Sequence, residues 1–162
     1  MNLSRRGLLI AVAHLLIVLS LGGKLLIDRA TRPRLWVSVA PVDPDLPIRG
    51  RYVMLSPRVE APQLSDREYS RTARLEVRDG KLFAIPDDNG SVSYWRRTPS
   101  SPAVLGSGMA FFIAEHAQDP SFRGNGEELW AEVTVPRKGL PRPIRLGVKK
   151  PGSDHIEPLN LD

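Results

Sequence analysis

The chain of 162 residues has no cysteine and only three histidines. The first absence excludes a disulfide framework, a thiol nucleophile and a thiolate metal site. The second leaves little for imidazole chemistry, because His14 falls in an apolar stretch and neither His116 nor His155 has a partner at metal-ligand spacing. There is no G-x-S-x-G, no phosphate-cradling loop and no dinucleotide fingerprint, and Gly106-Ser107-Gly108 and Gly124-Asn125-Gly126 read as loops. No internal repeat is visible. Nothing in these patterns calls for a cofactor or a metal.

Long apolar runs are also absent after the first 27 residues, where fifteen prolines and most of the thirteen glycines interrupt the chain. That spacing disfavours long helices and suits short strands joined by turns. About 130 residues remain once the N-terminus is set aside, the common size of one domain.

The formal charge of +5 raises the question of nucleic acid, and its distribution answers it. Residues 1–34 hold Arg5, Arg6, Lys24, Arg29, Arg32 and Arg34 against Asp28 alone, leaving seventeen residues of each sign for the rest. The excess flanks an apolar segment, which fits anionic lipid headgroups better than phosphodiesters, so no nucleic-acid partner is expected.

That segment, Gly7 to Gly23, carries no formal charge. As a helix it spans ~26 Å, slightly short of a ~30 Å hydrocarbon core. Lys24 can lay its stem along lipid while its ammonium reaches the interface, so Leu25 to Ile27 extend the span. The expected organisation is a cytoplasmic tail over 1–6, a transmembrane anchor over 7–27, a connector over 28–34 and an extracytoplasmic β domain over 35–162. Arg5 and Arg6 with Ser20-Leu21-Gly22 also fit a cleaved signal peptide. The basic count is higher on the C-terminal flank and by itself favours a cytoplasmic domain. The very short tail before the helix favours export, placing the protein in a bacterial inner membrane as a single-pass chain with its domain in the periplasm.

Within the domain, Leu35–Val39, Gly50–Leu55, Ala73–Val77, Lys81–Ile85, Val92–Trp95, Met109–Ala114, Leu129–Val135 and Ile144–Val148 read as strands, and Pro57–Arg71 as a surface excursion. Asp79-Gly80 between alternating runs signals a hairpin, and Asp87 to Gly90 another turn. The fold class is mainly β, an N-terminal transmembrane helix followed by a compact antiparallel barrel or sandwich. Val53, Leu55, Leu75, Val77 and Val133 are expected in the core, together with the aromatic residues Trp36, Phe83, Phe112 and Trp130.

Val39 to Leu55 reads V-A-P-V-D-P-D-L-P-I-R-G-R-Y-V-M-L. Its Pro41, Asp43, Pro44, Arg49, Gly50, Tyr52 and Leu55 resemble the P-x-D-P and R-G-D-Y-x-x-L pattern of the GDYXXLXY family of bacterial membrane-anchored proteins. Arg51 stands where that pattern has Asp, and Pro57 where it has the final Tyr. Phe111 to Val148, with Glu115 before a Gly-containing loop, is similar to the family's C-terminal half. The resemblance implies one membrane helix, an extracytoplasmic β domain and, in some relatives, genetic association with an uncharacterised polytopic membrane protein, and it implies no reaction.

Read on its own, P-x-D-P shapes a rigid corner whose Asp accepts backbone N–H bonds, and the alternative is a motif that also presents a binding surface. Glu115, His116 and Asp119 form the one local titratable cluster, which reads as a solvated loop. The basic run Arg137 to Lys150 suits lipid headgroups, an anionic glycan or an acidic partner, and equally a protected sheet edge. The functional expectation is a non-enzymatic accessory or binding module that pairs with an integral membrane protein. The alternative is an envelope hydrolase acting on peptide or glycan through Glu115, His116 or Asp43.

Overall fold

The computed structural model describes residues 5–42, 52–65 and 70–161. It divides into two units, residues 1–32 and 33–162.

The first unit is α1, Arg5–Thr31. Its stretch Gly7–Ile27 is long and apolar enough to cross a membrane, as a membrane anchor or a signal sequence is. The first turn contains no acidic residue, against the preference set by the helix dipole. His14 Nδ1 lies 2.8 Å from the carbonyl oxygen of Ile10, to which its N–H donates along the helix. Ser20 Oγ donates to the Ile17 carbonyl in the same manner.

The second unit is an antiparallel sheet of β1 (Arg34–Val42), β2 (Tyr52–Val59), β3 (Ser70–Arg78), β4 (Lys81–Pro86), β5 (Val92–Trp95), β6 (Ala103–Leu105), β7 (Met109–Phe112), β8 (Glu128–Thr134), β9 (Arg142–Lys149) and β10 (Ile156–Pro158). The strand order is β10-β9-β8-β1-β2-β6-β5-β3-β4, with β7 also paired to β2. β1 is the seam: Arg34 to Ser38 pair with β8, and Val39 to Val42 pair with β2. The sheet folds over so that β4 packs across β1 and β2, as in a sandwich. Among the described residues, a lone parallel bridge joins Glu60 to β4, with Glu60 N donating to Leu82 O and Ala84 N to Glu60 O, and the ladder does not otherwise close.

Local sequence explains several joints. β3 and β4 meet through Asp79 and Gly80 at φ 48° and 70°, the two left-handed positions of a two-residue hairpin. β6 and β7 both run along β2, where Val59 faces Ala103 and Leu55 faces Met109. The two extra residues on that side fall in Gly106-Ser107-Gly108, the short loop between β6 and β7.

The expected surface excursion after Pro57 is corrected in part, since β2 runs on to Val59, and Val59, Ala61 and Leu64 are buried. Pro57 falls where β2 passes from its β7 ladder to its β6 ladder, a position that tolerates a missing N–H.

The core consists of alternate residues of each strand: Leu35, Val37 and Val39 of β1, Val53 and Leu55 of β2, Leu82 and Ala84 of β4, Leu129, Ala131 and Val133 of β8. Trp36, Phe83 and Trp130, expected inside, occupy the opposite face. In a period-two element a displacement of one residue exchanges the faces. Phe112 is corrected most strongly, being 72% exposed on β7. Leu75 and Val77 are half-buried and pack against the core from its margin.

Candidate functional site

Three residues of the P-x-D-P and Tyr motif are joined by the sheet. Pro41 of β1 pairs with Leu55 of β2, and Leu55 is fully buried and pairs on its other side with Met109. Leu55 is therefore a core anchor. Tyr52, the first residue of β2, pairs with Phe112 of β7, their ring centroids 6.0 Å apart at a tilt of 50°. The rings are tilted to one another at a separation within the ~4.5–7 Å range of interacting aromatic pairs. Val42, at the end of β1 and 46% exposed, adds to the apolar surface of these strands. Asp43, Pro44, Arg49 and Gly50 lie outside the described residues.

Glu115 is exposed in the loop after β7, beside the equally exposed His116. Asp119 Oδ1 accepts the backbone N–H of Ser121 at 2.8 Å, so its carboxylate closes a local turn. Among the described residues, no three His, Asp or Glu side chains group as a metal site.

A second feature was not foreseen from the sequence. A groove of about 740 Å³ has Trp36 and Ser38 of β1, Trp130 of β8 and Arg58 of β2 along one side, with Lys81 to Phe83 and Arg96 on the other. Its lining combines outward-facing side chains, the aromatic residues among them, with Val37, Val59, Ala61, Leu82 and Ala103 of the core. Its charges are mixed: Arg58 lies 3.7 Å from Glu128 and Lys81 3.6 Å from Glu60, both in exposed pairs. Such pairs contribute about 0–1 kcal/mol each. Arg96 is held more firmly, donating to the carbonyls of Ala61 and Pro99. Ser38 Oγ and Arg96 Nε are shielded from solvent, and neither has a hydrogen-bond partner among the described residues.

The outward face beside the groove is a ladder of aromatic and charged side chains. Arg145 donates to Glu132 at 2.6 Å and stacks over Trp36 at 5.4 Å, and Lys149 lies over Trp130 at 5.7 Å. The alternation of Trp36, Ser38, Trp130 and Glu132 with aliphatic residues was the available signal for this face. Aromatic residues satisfy either side of a sheet, which hides it.

No family model matches the chain, and neither a curated protein nor a solved structure is significantly similar to it.

Proposed function

We propose that this chain is a membrane-anchored, non-enzymatic accessory or binding module that pairs with a polytopic integral membrane protein at the cell envelope. In this reading its helix crosses the bacterial inner membrane once and its β domain stands on the periplasmic side. The observation that carries it is Phe112, 72% exposed on β7 and packed against Tyr52 of the motif. A large aromatic ring held in water on a short strand gains free energy when a partner covers it.

The resemblance to the GDYXXLXY family, whose motif includes Tyr52, supports the same reading. So does the apolar helix, because confinement to one membrane raises the effective concentration of the two partners without any added contact.

The test is recovery of the tagged full-length protein from its native membrane in mild detergent. The wild type is expected to bring down one polytopic membrane protein in stoichiometric amount, and Phe112→Asp to lose it while the domain still unfolds cooperatively. Wild-type protein recovered alone overturns the proposal.

A further inference from the structure

The run from Arg137 to Lys150 contains six basic residues and no acid. The fold divides it in two. Arg145 is paired with Glu132, Lys149 with Asp154 and Lys150 with Glu157. Arg137, Lys138 and Arg142 are exposed, and among the described residues none of the three has an acidic partner.

These three share one end of the sheet. Arg142 opens β9 opposite Thr134, the last residue of β8, and Thr134 pairs on its other side with Arg34, the first residue of β1. Arg137 and Lys138 lie in the loop joining β8 to β9. That loop is fixed at both ends of its turn: Val135 N donates to Pro33 O, and Gly139 N donates to Ser91 Oγ at 2.7 Å. The acidic groups nearest along the chain to that second anchor are Asp87 and Asp88 of the β4–β5 turn. Asp87 Oδ1 is engaged by the N–H of Asn89.

This end is also where the chain arrives from α1. Arg34 follows Ile27, the last residue of the apolar stretch, by seven residues. Seven residues reach at most ~25 Å even when fully extended. With the helix in a bilayer, chain length alone keeps the start of β1 within that distance of the hydrocarbon boundary.

We infer that Arg137, Lys138 and Arg142 dock this end of the domain on anionic phospholipid headgroups of the membrane that holds the helix. The inference rests on the reading of α1 as a retained anchor and holds on either side of the membrane. A headgroup layer offers a plane of negative charge at the distance the chain dictates, and each basic residue near such a surface strengthens attachment by ~5-fold. The local excess of positive charge has no counterpart at the β10 end of β9, where the lysines are already paired.

The full-length protein is placed in nanodiscs of phosphatidylcholine alone and of phosphatidylcholine mixed with phosphatidylglycerol, and hydrogen exchange is followed across residues 134–142. The inference predicts severalfold slower exchange in this segment with phosphatidylglycerol, abolished by high salt and by the triple variant R137Q/K138Q/R142Q. The double variant K149Q/K150Q, which also lowers the charge, keeps the protection. Equal exchange in the two lipids, or protection that survives the triple variant, overturns the inference. Failure to enter the neutral discs overturns the anchor reading and this inference with it, so the two failures are told apart.

Discussion

The ring of Trp36 lies against the backbone of Gly147, so that a Cβ on Gly147 would stand 3.1 Å from Trp36 Cη2. The same Cβ would meet Ile156 Cγ2 at 2.7 Å and Glu157 O at 3.0 Å. Glycine here lets β10 close on β9 while the indole lies flat enough for Arg145 to stack on it. Gly147→Ala is expected to cost about 1–3 kcal/mol, the range for overpacking a close contact. Denaturant unfolding of the full-length protein in detergent measures it, and an unchanged midpoint contradicts the packing described.

Leu55 and Phe112 separate stability from binding on neighbouring strands. Leu55→Ala is expected to lose about 2–5 kcal/mol, because the side chain is fully buried between β1 and β7. Phe112→Ala, at an exposed position, is expected to shift stability by less than about 1 kcal/mol. Comparable losses at the two positions contradict the assignment of Phe112 to the surface.

At the β3–β4 hairpin, Gly80 has φ 70°. Gly80→Val is expected to destabilise by about 1–2 kcal/mol through left-handed strain alone, since a Cβ there meets nothing within 4 Å. Thermal unfolding checks this, with Gly80→Asn expected to recover much of the loss because Asn tolerates that conformation.

This hairpin was also the most legible element in the sequence, because Asp-Gly between alternating runs has few other uses. Val92–Trp95 was legible for a similar reason, a short alternating run bounded by turn residues. The aromatic faces were not. Trp36, Phe83 and Trp130 alternate with Leu35, Leu82 and Leu129, and hydrophobicity alone does not say which member of such a pair faces the core. β6 and β10, three residues each, are too short for a period-two signal. Of the candidate site, Leu55 and Tyr52 could be placed on opposite faces of β2 from their spacing. The groove escaped notice because it draws on β1, β2, β4 and β8 together with Arg96, which only the strand order brings near one another.

Lys150 Nζ donates to Glu157 Oε2 at 2.9 Å. This hydrogen bond, and after it the attraction of opposite charges, holds the Glu157 carboxyl below its ordinary value of 4.5 and the Lys150 ammonium above 10.5. Because Glu157 is depressed in the folded state, its contribution is present above the unfolded carboxylate value and is lost as pH falls through the folded one. Lys150 is raised, so its contribution is complete below the unfolded ammonium value and is lost as pH rises through the folded one. The clasp between β9 and β10 therefore operates between those two ranges. An NMR titration of the Glu157 carboxyl carbon is expected to give a lower midpoint in the wild type than in Lys150→Gln. Equal midpoints contradict the pair.

The hydrolase alternative makes its own prediction. Glu115→Ala and His116→Ala remove exposed side chains from the loop after β7. If the chain is a binding module, both variants keep partner recovery and any cellular phenotype intact, whereas Phe112→Asp loses them. Loss of a phenotype in the loop variants with folding and partner recovery preserved would favour the hydrolase.

The most direct test of the central claim is a photoactivatable phenylalanine analogue at position 112, irradiated in intact membranes. The account predicts one crosslinked product with a polytopic membrane protein, absent when the analogue replaces exposed Arg74 on β3. No crosslink at position 112, or the same products from both positions, would contradict it.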